Sequence, residues 1–345
     1  MLLRLSKEQG LDAPWRRSRN FRTFTHGAFR LNLRAFMSKT AFLFAGQGAQ
    51  AVGMGKELVE KFPATRQWFD RANAALGYDL ASICFNGPEA ELTKTENAQP
   101  GIFLVSWVAL ELLKQQVPNV KADATAGLSL GEFTALTAAG AMTFDDCLKV
   151  LRVRGRSMQE ACEATRGSMA AIIGLDEAPT REVCSEAGVQ LANLNCPGQL
   201  VISGELEKIN KACELAKAKG AKRALPLPVA GAYHSPLMAS AQPKLAVALD
   251  AAAFSAPVVP VISNVTAQPH GAPTEIKSRL VEQVTASVRW EESIRCLLAQ
   301  GFTRFIELGP GTALTGFMKR IDKTAQVLNV ADAASLEATA KVLNG

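Results

Sequence analysis

An apolar run over residues 122–126 passes through Gly127-Leu128-Ser129-Leu130-Gly131 into a helix-like pattern over 132–139. A strand that turns sharply into a helix through small residues belongs to parallel α/β folds, and glycines around a serine leave its Oγ projecting from the turn. The same alternation recurs along the chain. Strands are predicted at 40–44, 122–126, 258–263 and 304–307, and helices at 56–75, 102–115, 132–139, 144–160 and 290–300, which argues for an α/β fold.

Residues 168–228 have a different rhythm. Strands at 169–173, 189–195, 199–203 and 223–227 and helices at 178–187 and 206–219 spell βαββαβ, with Cys196-Pro197-Gly198 as the central turn. That order is the ferredoxin-like unit, so a small domain over 165–230 is expected inside a larger α/β domain made of 38–164 and 231–345.

Charge narrows the partners. The formal net charge is +6, yet residues 1–37 alone carry it, with eight basic side chains against Glu8 and Asp12. The remaining chain holds 30 basic and 30 acidic residues, so nothing in its balance calls for a nucleic-acid partner. The Arg-rich segment 1–37 lacks a periodic apolar face and a signal-peptide core. It reads as an extension upstream of a functional start at Met37, with an organelle transit segment as the alternative. Scarce serine favours the former, hence a cytoplasmic location, with plastid or mitochondrion tied to the latter. No apolar run approaches the ~20 residues of a membrane span. Seven cysteines without Cys-x-x-Cys spacing suggest a reduced intracellular protein with no metal site.

A nucleophilic Ser129 needs a base. On pattern alone the competing reading is a turn whose serine caps the following helix. The chain has three histidines, His26, His234 and His270. His26 lies in the basic extension, and His270 sits in Gln268-Pro269-His270-Gly271, a turn cluster where an exposed side chain is expected. His234 follows an apolar strand through Gly231-Ala232-Tyr233, in a loop at a strand end, and is the base candidate by position and by elimination. Gly46-Gln47-Gly48-Ala49-Gln50-Ala51 fits a dinucleotide fingerprint, but helical pattern fills the space where a second strand ending in an acidic residue belongs. Its glycines suit a loop that offers backbone N–H groups to an oxyanion.

Six motifs in order carry a resemblance from about residue 39 to the C-terminus. They are Phe44-Ala45-Gly46-Gln47-Gly48-Ala49-Gln50, Gly127-Leu128-Ser129-Leu130-Gly131-Glu132, Arg152-Val153-Arg154-Gly155 with Met158-Gln159, Asn195-Cys196-Pro197-Gly198-Gln199, Gly231-Ala232-Tyr233-His234-Ser235-Pro236-Leu237-Met238, and Glu307-Leu308-Gly309-Pro310-Gly311. Together they resemble the malonyl-CoA:acyl carrier protein transacylases of fatty-acid synthesis. The resemblance implies a hydrolase-like large domain with a parallel sheet and nucleophile elbow. It also implies a ping-pong transfer without cofactor, with malonyl-CoA and a phosphopantetheinylated acyl carrier protein as partners; a monomer is the form expected, though residue order alone does not reveal the oligomeric state. Ser129 would attack the malonyl thioester, with His234 as base, the backbone N–H groups of Gln47 and Leu130 as oxyanion hole, and the backbone carbonyl of Gln283 orienting His234.

The resemblance gives Arg154 the malonyl carboxylate; helical periodicity adds only that it lies nearest, of Arg152, Arg154 and Arg156, to the face carrying Leu148, Leu151 and Met158. Arg152 and Arg156 read as solvated helix charges. The chain departs from the family pattern at Leu128, where many members carry His, and at Tyr233, where malonyl-specific relatives often have Phe. A bulky aromatic there still favours malonyl over a branched acyl group. A serine esterase or thioesterase releasing acyl groups to water, a silent carrier-binding module and malonyl loading for polyketide synthesis remain alternatives. Lys222, Arg223, Lys319 and Arg320 are candidates for contact with an acidic carrier, or ordinary surface charges.

Overall fold

The computed structural model describes residues 38–345; the readings of segment 1–37 and of His26 lie outside the described residues. Nine strands are found there: β1 (Lys39–Phe44), β2 (Ala124–Gly127), β3 (Gly167–Ile173), β4 (Gln190–Cys196), β5 (Gln199–Glu205), β6 (Arg223–Pro226), β7 (Val261–Ile262), β8 (Phe302–Leu308) and β9 (Gln326–Val330).

One sheet has the order β7-β2-β1-β8-β9, and every neighbouring pair is parallel. β1 is central and buried along five of its six residues, as a strand covered by helices on both faces must be. Its side chains alternate between two cores: Phe42 and Phe44 pack with the helices Thr95–Gln116, Leu130–Ala138 and Phe144–Ala164, while Ala41 and Leu43 pack with Trp290–Ala299 and Ala313–Ile321. In β8, Glu307 is buried and accepts the backbone N–H groups of Leu314 (3.0 Å) and Thr315 (2.7 Å). A carboxylate at a helix N-terminus gives this part of the Glu307–Gly311 motif a structural reason. Burial raises its pKa, and those hydrogen bonds oppose the rise.

The second sheet, β4-β5-β3-β6, is antiparallel throughout. With the helices Glu177–Ala187 and Leu206–Ala218 it forms the βαββαβ unit. Ala170, Ile172, Leu200 and Ile202 face those helices. Their strand neighbours Met169 and Val201 point the other way and join the core beside the large sheet. The backbone continues the join, since Leu194 N–H donates to Val288 O (2.9 Å) and Val288 N–H to Ala192 O (2.8 Å).

Several elements differ from the sequence expectation. The pattern over 56–75 is not one helix: Pro63 lacks an N–H and opens a 3₁₀ turn, Pro63–Thr65, between the helices Lys56–Lys61 and Arg66–Leu76. The strand expected over 258–263 shrinks to Val261–Ile262, because Val258 is 82% exposed and outside the sheet. The helix expected from 102 begins at Thr95 and carries Pro100 within it. β9 and the helix Ala333–Asn344 extend the large sheet beyond the predicted elements.

Candidate active site

The turn after β2 is built by close approach. A Cβ on Gly127 would lie 2.0 Å from the backbone of Gly131, and one on Gly131 would lie 2.3 Å from Phe44 O of β1. Neither position admits a side chain, so the two glycines press the start of the helix Leu130–Ala138 against the sheet. Ser129 between them is held at φ 54°, a rare conformation for a residue with a Cβ. It occupies the helix N-cap, yet its side chain makes no capping hydrogen bond. Its Oγ instead lies 2.9 Å from His234 Nε2.

His234 also has a positive φ, 57°, and its side chain is buried. Nδ1 faces two backbone carbonyls, Gln283 O at 2.9 Å and Ala286 O at 3.2 Å. Two acceptors fix the proton on Nδ1, which leaves Nε2 as the acceptor for the serine hydroxyl. Desolvation by burial lowers the imidazole pKa to about 4; the nearby Arg154 cation adds to the drop, and the two carbonyls oppose it. At neutral pH the ring is therefore uncharged and competent as a base.

Arg154 projects from the helix Phe144–Ala164 and is 1% exposed. Nη1 donates to Gln99 Oε1 (2.7 Å), and Nη2 donates to Gln283 Oε1 (2.8 Å) and Ser129 Oγ (3.1 Å). Nε has no partner, and no carboxylate among the described residues pairs with the group. Burial lowers its pKa to about 10, so it stays cationic. A buried guanidinium held only by neutral groups is costly unless an anion arrives to meet it.

The loop after β1 faces the serine. Gly46, Gln47, Ser129, Asn195, Tyr233 and His234 line one cleft between the two sheets, and Met169 and Val201 close it from the small sheet. The backbone N–H groups of Gln47 and Leu130 have no hydrogen-bond partner among the described residues, so both are free for a developing oxyanion. The Gln47 side chain is fixed by Tyr233 Oη (3.3 Å), Thr95 Oγ1 (3.5 Å) and Gln99 (3.3 Å). No cluster of His, Cys, Asp and Glu able to hold a metal ion occurs among the described residues.

Thus Ser129, His234, Arg154 and the carbonyl of Gln283 meet at one point, with Gln47 and Leu130 beside it. Two readings of charged groups need correction. His270 is not an exposed turn residue: its side chain is fully buried against Glu132. Arg152 is not a solvated charge either, since it stacks 4.0 Å over the Tyr78 ring, whereas Arg156 is exposed and paired with Glu160. Gln99 and Asn264 escape a reading of motifs, and Glu132, though it ends the Gly127–Glu132 motif, receives no role there. A signal for Glu132 does exist, because it is the one charge on a helix whose other residues are apolar or small.

A family model described as "Acyl transferase domain" matches residues 41–341. The chain is 47% identical over 312 residues to the malonyl CoA-acyl carrier protein transacylase of Bacillus subtilis, covering 89% of this chain and 98% of the relative. Among solved structures, it resembles the acyl-carrier-protein-S-malonyltransferase of Bartonella henselae with TM-score 0.85 and 44% identity, over 89% of this chain and 100% of that one. It also resembles a malonyl-transacylase solved in complex with its type II polyketide acyl-carrier protein, with TM-score 0.85 and 39% identity, over 88% and 100%.

Proposed function

This chain belongs to the acyl transferase family, and from that premise we propose that it moves the malonyl group of malonyl-CoA to the phosphopantetheine thiol of an acyl carrier protein through a malonyl–serine intermediate. Ser129 Oγ attacks the thioester carbonyl while His234 Nε2 takes its proton, and the Gln283 and Ala286 carbonyls support the imidazolium that forms. The N–H groups of Gln47 and Leu130 receive the charge on the tetrahedral oxygen. The C–S bond breaks, and His234 returns the proton to the CoA sulfur. The carrier thiol then repeats the sequence in reverse and regenerates free Ser129.

The observation that carries the choice of acyl group is Arg154. Its guanidinium is buried, lacks a carboxylate partner and stands 3.1 Å from the nucleophile, where the free carboxylate of a malonyl group would sit. An esterase for neutral acyl chains would have no use for it. The depressed pKa of His234 fits the same scheme: an arriving carboxylate offsets the Arg154 charge that lowers it, so the base strengthens when malonyl is bound. Supply of fatty-acid synthesis is the destination that the transacylase relatives suggest, and a monomer in the cytoplasm is the form proposed.

Intact mass of the protein mixed with malonyl-CoA tests the reading. A persistent malonyl adduct that disappears on adding holo carrier protein is expected. Turnover to free malonate without carrier would replace the proposal with hydrolysis, and the absence of any adduct would reduce the protein to a binding module.

A further inference from the structure

We propose that Glu132 and His270 form a buried positioning pair which, through Gln283 and Asn264, sets the alignment of Ser129, His234 and Arg154. The inference rests on the acyl-transfer reading for its substrates but on separate residues for its geometry. Both side chains of the pair have 0% exposure, and neither touches the cleft.

The Glu132 carboxylate accepts three donors. His270 Nε2–H reaches Oε1 at 2.6 Å; Gln283 Nε2–H and the Asn264 backbone N–H reach Oε2 at 2.6 and 3.1 Å. His270 is delivered by the turn that follows β7, where its own N–H bonds Val261 O at 2.9 Å. The two groups that Glu132 holds are those that grip the site. Asn264 Oδ1 accepts the Ser129 N–H (2.6 Å), and Nδ2 donates to Gly127 O (2.8 Å), so one amide clamps both sides of the strained turn. Gln283 donates from Nε2 to Ser129 O (2.9 Å), accepts Arg154 Nη2 at Oε1 (2.8 Å), and offers its backbone carbonyl to His234 (2.9 Å).

The Gln283 amide is therefore polar at both ends, and Glu132 adds a charged acceptor to the orientation that Arg154 and the Ser129 carbonyl also favour. With a carboxylate at Nε2, the oxygen must face the guanidinium. Without that acceptor Nε2 keeps only neutral acceptors such as Ser129 O, so the amide that holds both Arg154 and the nucleophile's backbone is placed less firmly in a buried site. Glu132 also acts on Arg154 across that one amide, and its charge raises the guanidinium pKa against the pull of burial. The pair touches no substrate, so its effect is felt through the three residues it aligns.

The test uses the full chain with Glu132→Leu, Glu132→Gln and His270→Leu. Folding is followed by thermal melts, nucleophile alignment by the rate of Ser129 labelling with a fluorophosphonate, and arginine alignment by the malonyl:acetyl ratio of kcat/KM. In folded Glu132→Leu, labelling should slow by about tenfold or more and the malonyl:acetyl ratio should fall by a similar factor, the size expected for one lost buried acceptor. Glu132→Gln should recover to within about threefold, because its oxygen still accepts from Gln283 and Asn264 while its NH₂ donates to His270 Nε2 once the imidazole proton has moved to Nδ1. Folded Glu132→Leu with wild-type labelling and ratio overturns the proposal, as does an equal loss in the Gln and Leu variants at unchanged ratio, which marks a structural role alone. If Glu132→Leu does not fold, His270→Leu carries the test: a ratio lowered by at least about threefold supports the pair, and an unchanged one overturns it. A wild type that labels with fluorophosphonate yet gains no malonyl adduct would sink the acyl-transfer reading, and labelling across the variants would still decide the pair.

Discussion

The four-stranded sheet and the carboxyl edge of the five-stranded sheet face each other across the cleft, and they treat local rules differently. In β3 and β5, residues alternate cleanly between the helices on one side and the cleft on the other, and the covering helices are amphipathic. Across the gap, Ser129 and His234 hold positive φ, a guanidinium is buried without an anion, and Glu132 and His270 are sealed from water. Consistency between local preference and fold is what makes a region stable; departures that survive beside one cleft point to chemistry. Substitutions should therefore separate stability from activity along this divide.

The largest separation is expected at Ser129. Ser129→Ala and Ser129→Gly should both lose the malonyl adduct and about 10⁴-fold or more of transfer activity, because the attacking oxygen is gone. Glycine suits φ 54° and alanine does not, so Ser129→Gly should be more stable than Ser129→Ala by about 1 kcal/mol. Intact mass and paired thermal melts check both statements. A glycine variant less stable than the alanine one would mean that the turn stores no strain.

Arg154→Ala should come next. Malonyl kcat/KM is expected to fall by at least about 10–100-fold, since a charge-assisted pair worth about 1.5–3 kcal/mol is removed. Acetyl transfer should hold or rise, because acetyl has no carboxylate and no longer meets a buried cation. An equal fall for both thioesters would place Arg154 with the fold instead of the substrate. The same variant moves the acid limit of the rate. His234 must be neutral to act, so activity fails as pH drops through its pKa, which burial and Arg154 together depress to about 4. Removing the cation leaves burial alone, and the acid limb of acetyl kcat/KM should shift to higher pH. A limb that stays in place would show that Arg154 does not act on the base.

The divide also decides what can be read from residue order. The βαββαβ unit is legible to within a few residues, because alternation and amphipathic periodicity are local signals. Ser129 is legible from its glycines, and His234 from its loop after an apolar strand together with the setting aside of His26 and His270. Arg154 needs the resemblance to distinguish it from Arg152 two positions earlier. Glu132 and His270 are 138 residues apart, and Gln268-Pro269-His270-Gly271 is a genuine turn signature. The turn is present, but it folds back beneath the nucleophile and buries the side chain that a surface turn would expose. Long-range polar pairing leaves no periodic trace, and so the hub behind the catalytic groups becomes visible only in three dimensions.

The smallest effects belong to the small sheet, where two neighbours on β5 divide the roles. Ile202 is fully buried among the helices, and Val201 lines the cleft. Ile202→Val removes one methylene from a packed core and should cost about 0.5–1.5 kcal/mol of stability, with kcat and KM unchanged for malonyl and acetyl thioesters. Val201→Ala also removes apolar atoms, but it does so from a wall that the acyl thioester would pass. Its stability cost should be at least that of Ile202→Val, because Val201 is 8% exposed and packs into the core beside the large sheet, while KM should rise by about two- to fivefold from lost apolar contact with little change in kcat. Chemical denaturation and steady-state kinetics on the two variants check both expectations. If Ile202→Val changes KM as much as Val201→Ala does, the two faces of the strand are not independent, and the contrast between a sheet that supports and an edge that reacts would have to be redrawn.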